Sequence, residues 1–244
     1  MVRKSFVLTL SFFLALLAWA QEPWKSRPYD QWTEQEVEKV LNGSPWVKQI
    51  RVPPLWREGR SRAQVPGAAT PPDDTFPSQG RARTGLEEQA DQERANLAAF
   101  QVRWASARPI RQALVRGALL KGKPMTAEAE QYLGNDPEEF EVVILGPDMR
   151  PFTGVAQEEL LAKTYIRPKK GKVRFAPRQI EFLRQGEGQR LVGIAFYFSK
   201  KSATGEAVVA PDEKGIEFSC QTPMVLVRTN FEPQKMADAK GVAL

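Results

Sequence analysis

The sequence predicts an α+β fold, a mostly antiparallel β-sheet with a few short helices packed on one face. Three observations carry that expectation. A short stretch near the amino terminus has both ends of a helix written out. Two helical patterns with apolar stripes precede residue 134, with an alternating strand before the first of them. From Thr164 onward the hydrophobic period becomes two and stays there, punctuated by glycine.

Residues 1–20 read as a secretory signal: Arg3 and Lys4 supply the charge, Phe6 to Leu17 the apolar run, and Ala18-Trp19-Ala20 the small-x-small site. Cleavage is expected after Ala20, which places the mature chain in the periplasm or outside the cell. The apolar run is shorter than the roughly 20 residues of a membrane span. No stable span is therefore expected once the signal is removed. The chain carries 35 Lys+Arg and 29 Asp+Glu; without Arg3 and Lys4 the balance is 33 to 29, or +4. So small and dispersed an excess suits loose attraction to an anionic wall polymer and argues against nucleic acid.

Pro28 to Trp46 is the most tightly specified stretch. Thr33 and Glu36 form a capping box, Trp32 and Val37 a hydrophobic staple, and Val37, Val40 and Leu41 one apolar side. Asn42-Gly43 offers left-handed residues for the helix end, and Pro45 forbids continuation. Asn42-Gly43-Ser44 also matches a glycosylation acceptor, but the helix end already explains it. Val47 to Val52 is an extended run, so residues 21–52 form a capped-helix segment. Residues 53–85 are rich in Pro, Gly, Ala, Arg and Ser and read as a flexible tether, in which Asp73 and Asp74 are solvated acids.

Residues 86–244 then make a single α+β domain. Leu86 to Ala98 suits a polar surface helix, and Phe100, Val102 and Trp104 alternate as a half-buried strand. Pro109 opens a helix whose stripe is Ile110, Ala113, Leu114, Gly117 and Ala118, leaving Arg108, Arg111 and Arg116 on a solvated face. Thr126 to Leu133 and Val155 to Lys163 are further helices, and Phe140 to Gly146 an interior strand. Seven period-two runs follow, at 165–166, 173–176, 179–183, 191–198, 207–210, 216–220 and 224–229, as an antiparallel meander. Within the fourth, Val192, Ile194, Phe196 and Phe198 share one face and Leu191, Ala195 and Tyr197 the other, the mark of a strand covered on both sides. Gly186 to Arg190 (GEGQR) is a hairpin turn without the spacing of a phosphate loop.

Composition removes much chemistry. With no histidine, His-based triads, His-ligated zinc and His general bases are excluded; with Cys220 alone, thiolate clusters and internal disulfides are excluded too. Cys220 shares a face with Ile216 and Phe218 and reads as a small buried hydrophobe. No catalytic, cofactor-binding or metal-ligating residue is singled out, and no cofactor is expected. Glu138-Glu139 and Glu158-Glu159 are sequence neighbours that point apart. A carboxylate pair assembled from distant positions survives as an alternative.

The tryptophans are unevenly spread. Trp24, Trp32, Trp46 and Trp56 all lie at or before the start of the tether, so they are the candidate docking residues, against the protein's own sheet or against a partner. The function expected is a non-enzymatic binding or scaffolding protein of the cell envelope, with an envelope protein or anionic wall polymer as partner. The alternative is a carboxylate-dependent hydrolase of wall glycan. An assembly factor using an exposed sheet edge is a third, weaker reading.

Pro28, Tyr29, Trp32, Leu41 and Ser44-Pro45-Trp46, with the Val102 to Ala113 motif and the ending Phe231, Met236 and Gly241, resemble a family of exported acidobacterial proteins of no assigned activity. The resemblance implies that the amino-terminal helix and the main domain form one unit, and carries over no site. Phe196 to Lys200 (FYFSK) departs from the Phe-x-Phe-Pro-Arg expected there.

Overall fold

The structure, a computed structural model, describes residues 22–53 and 97–244. The signal sequence, the tether, Trp56 and most of the polar helix expected at 86–98 lie outside those residues; Ala98 itself opens a strand. The elements are α1 (Pro23–Ser26), α2 (Glu34–Gly43), β1 (Val47–Val52), β2 (Ala98–Trp104), α3 (Arg108–Leu120), α4 (Ala127–Gly134), β3 (Glu139–Leu145), α5 (Gln157–Lys163), β4 (Thr164–Pro168), β5 (Gln179–Gln185), β6 (Arg190–Ser199), β7 (Ile216–Gln221), β8 (Leu226–Phe231), β9 (Ala237–Asp238) and β10 (Gly241–Val242). The fold is α+β, and every strand pair is antiparallel.

The strands after Thr164 are distributed among three sheets where one meander was expected, the smallest being the pair β9–β10. A five-stranded sheet runs β1-β2-β3-β6-β5, and a three-stranded sheet runs β4-β7-β8. The hairpin β5–β6 joins the first, the hairpin β7–β8 the second, and β4 pairs with β7 from Thr164 opposite Cys220 to Pro168 opposite Ile216. The runs at 173–176 and 207–210 form isolated bridges only, Ile166 to Phe175 and Lys201 to Ala207.

The two larger sheets bury one face each against the other, which gives most of the large sheet's apolar residues their cover. Phe218 on β7 meets Phe196 and Phe198 on β6 at centroid distances of 5.8 and 6.4 Å, and Phe231 on β8 meets Trp104 on β2 at 5.3 Å, all edge to face. Ile144, Ile194, Ile216 and Val227 complete this layer with no exposed surface. Cys220 is fully buried beside them, as its alternation requires.

The amino-terminal segment is part of the same body. Thr33 Oγ1 accepts from Glu36 N while Thr33 N donates to the Glu36 carboxylate, the expected capping box, and Trp32 and Val37 of the staple are both buried. α2 stops differently from the expectation. Gly43 is helical, and Ser44 turns extended at φ −85°, ψ 165°, as the residue before proline must. α2 packs on α3, where a Cβ on Gly117 would lie 3.3 Å from Val37. α3 closes with a Schellman pattern, Gly122 N donating to Leu119 O and Lys123 N to Ala118 O, with Gly122 at φ +80°. At the far side of α2, Gln101 Nε2 donates to Asn42 Oδ1 and Arg103 Nη2 to Leu41 O, fixing the helix end to the polar face of β2.

Candidate functional site

Trp24, Trp32 and Trp46 all have intramolecular partners. Trp46 is fully buried and donates from Nε1 to Ala243 O at 2.6 Å. Trp24 stands edge-on to it at 5.6 Å. Trp32 is 1% exposed, with Nε1 between Pro23 O at 3.3 Å and Arg27 O at 3.2 Å. Their rings are consumed in the chain's own core, which leaves little of them for a partner. The arginines of α3 are a second departure. Arg111 is 4% exposed where a solvated face was expected, and Leu114, expected in the buried stripe, is 39% exposed. Carbonyl oxygens from three places make the burial of Arg111 tolerable: Ser106 O at 3.1 Å, Asn135 O at 2.7 Å and Tyr132 O. Arg108 forms a bidentate pair with Asp238, both contacts 2.7 Å, and Arg116 donates to Trp32 O at 2.8 Å.

The polar face of the large sheet carries what the sequence reading did not single out. Glu141 on β3 sits opposite Tyr197 on β6, and Glu181 on β5 opposite Ala195. The Tyr197 hydroxyl donates to Glu181 Oε2 at 3.1 Å. On the same face Val143 and Ala195 form, with Ala105, a small apolar cluster against which Tyr197 packs. Burial, and secondarily the charge of Glu181, raises the Glu141 carboxyl above its ordinary range. Burial also raises the Tyr197 phenol, and the charge of Glu141 adds to it.

At the end of the sheet where β3 enters and β6 leaves, a cleft of about 740 Å³ opens. Its walls bring Glu138, Glu139 and Glu141 together with Arg178, Lys200 and Lys201, acids from the β3 side and cations from the ends of β5 and β6. Burial is the larger cause that lowers the Lys200 ammonium, and Arg111 adds to it against the pull of Asp136. Its Nζ lies 5.4 Å from the centre of the Phe140 ring. The clue in the sequence was a lone acid in FEVVIL and a lone tyrosine hydroxyl in AFYFS, polar groups in otherwise apolar strands.

The arrangement offers hydrogen bonds and opposite charges to a polar ligand. For carboxylate catalysis, Glu141 and Glu181 stand on strands separated by β6 and two residues out of register, so their backbones are about 12 Å apart at ordinary strand geometry. Among the described residues no group of three or more His, Cys, Asp or Glu is placed to hold a metal ion, and no helix is long and apolar enough to cross a membrane. No family model matches the chain, and neither curated proteins nor solved structures return a match.

Proposed function

We propose that the protein is a non-enzymatic binding or scaffolding module of the cell envelope, seated on its ligand through the cleft between Pro137 and Lys201. The observation that carries this reading is the meeting of three carboxylates and three cations in one open cleft on rigid strand ends. Such a surface suits a wall polymer that bears anionic groups and amines together, because each sign finds its complement. The signal at residues 1–20 and the resemblance to exported proteins support an envelope location. The test is co-sedimentation of the mature chain, from Gln21, with purified wall material. Retention that falls with salt, and falls further on Lys200→Glu with Lys201→Glu, supports the reading; equal retention of the double variant overturns it.

A second reading is favoured by one observation, the buried Glu141 on the same sheet face as Glu181, where burial first and the charge of Glu181 second raise its carboxyl. That is the condition of a general acid, and it points to a glycan hydrolase. Product release from wall glycan or other polysaccharides between about pH 4 and 8, abolished by Glu141→Gln, would establish it. No release across that range would dismiss it.

A further inference from the structure

A second cavity, of about 260 Å³, lies behind the cleft at the start of α3, with Lys200 in the wall of both. Ser106, Arg108, Arg111 and Asp136 form its polar lining, and Val242 to Leu244 one apolar side. Its donors are unevenly used. Arg108 is committed to Asp238. Arg111 gives Nε and Nη1 to carbonyls, but among the described residues its Nη2 has only Asp136, at 3.8 Å, and that carboxylate is 92% exposed and strongly screened. Among the described residues Lys200 makes no ion pair. Ser106 is 2% exposed and its hydroxyl has no hydrogen-bond partner, an uncommon and costly state for a buried polar atom.

An unpartnered buried hydroxyl, a guanidinium nitrogen faced only by an exposed carboxylate, and an ammonium that makes no ion pair line one small cavity. Each of these deficits is met by the same kind of guest, a compact oxyanion with several acceptor oxygens. We propose that this cavity binds a phosphate or phosphomonoester group through the Ser106 hydroxyl, Arg111 Nη2 and the Lys200 ammonium. The volume is several times the roughly 30 Å³ share of a water molecule, which accommodates a tetrahedral oxyanion. The site goes beyond the cleft reading. It shares Lys200 with the cleft but stands also on Ser106 and Arg111, which do not line it, so Ser106→Ala tests this site apart from the cleft.

The test uses the full mature chain and inorganic phosphate as the probe, followed by isothermal titration and by thermal melting at constant ionic strength set with chloride. Saturable binding and a rising melting temperature are expected. Ser106→Ala removes only an unpartnered hydroxyl and Lys200→Gln only the ammonium, and each should weaken phosphate about tenfold, the scale of one lost charge-assisted hydrogen bond. Arg150→Gln, which removes the same charge from an exposed arginine lining neither cavity, should leave phosphate affinity at the wild-type value. Phosphate acting no better than chloride, or equal affinity in wild type and both site variants, would overturn the assignment.

Discussion

The indole N–H of Trp46 and the carbonyl of Ala243 meet at 2.6 Å although 197 positions separate them in the chain. Trp46 leads into β1, and Ala243 N in turn donates to Met236 O at 2.9 Å, so this contact ties the first strand to the carboxyl-terminal turns. Trp46→Phe keeps most of the ring burial and deletes the donor. The expected loss is about 1–3 kcal/mol, the desolvation cost of a stranded buried carbonyl. Urea unfolding measures it, and hydrogen exchange should show the amide of Ala243 losing protection first.

Gly193 is a packing glycine. In β6, between β3 and β5, a Cβ there would lie 2.6 Å from Leu145 Cδ2 and 2.7 Å from Ile144 O. The leucine tip can rotate away, but the carbonyl belongs to the neighbouring strand and cannot. Gly193→Ala should cost about 1–3 kcal/mol, as overpacked sites do. An unchanged melting temperature would show that β3 and β6 have room to separate.

Glu141 makes a prediction with a sign. Its carboxyl is raised above the ordinary 4.5, first by burial and then by Glu181. A group whose folded form holds its proton more tightly contributes stability at low pH and loses it as pH rises from the ordinary value through the folded one. Glu141→Gln should therefore be more stable than wild type at pH 7 and no more stable at pH 4, read from melting curves at both. A destabilised variant at pH 7 would mean that the carboxylate has a favourable partner.

Cys220 should be inert. Burial pushes its thiol up to about 12, against a small opposing contribution from the Thr164 hydroxyl. In native protein a thiol reagent at pH 8 should give no modification over hours, and one equivalent should react at once on denaturation. Rapid labelling of the folded chain would reveal local opening of the β4–β7 pair.

Local features were legible where local chemistry decides them. Thr33, Glu36, Trp32 and Val37 lie within five positions, and their capping box and staple form from those residues alone. The period-two runs likewise announced β5, β6 and β7. The division into separate sheets was not legible, because the partner of β4 lies about fifty residues downstream and nothing in Tyr165-Ile166 names it. Arg111 was misplaced for a related reason. A helical stripe assigns arginine outward, while the carbonyls that receive it come from Ser106, just before α3, and from Tyr132 and Asn135 at the end of α4, none of which the stripe contains. Glu141 and Tyr197 were visible as polar interruptions, but their shared face depends on the β3–β6 register.

Val52 and Ala98 are paired across β1 and β2, so the chain leaves the sheet and returns to it about 5 Å apart. Closing a longer excursion between two such points costs little, about 0.6 kcal/mol for each doubling of its length. The fold is thus nearly indifferent to how much sequence is spliced between these strands. Protease nicking within residues 54–96 should leave two fragments that remain associated, and the same junction is a natural place to graft a reporter domain or to open new termini in a circular permutant.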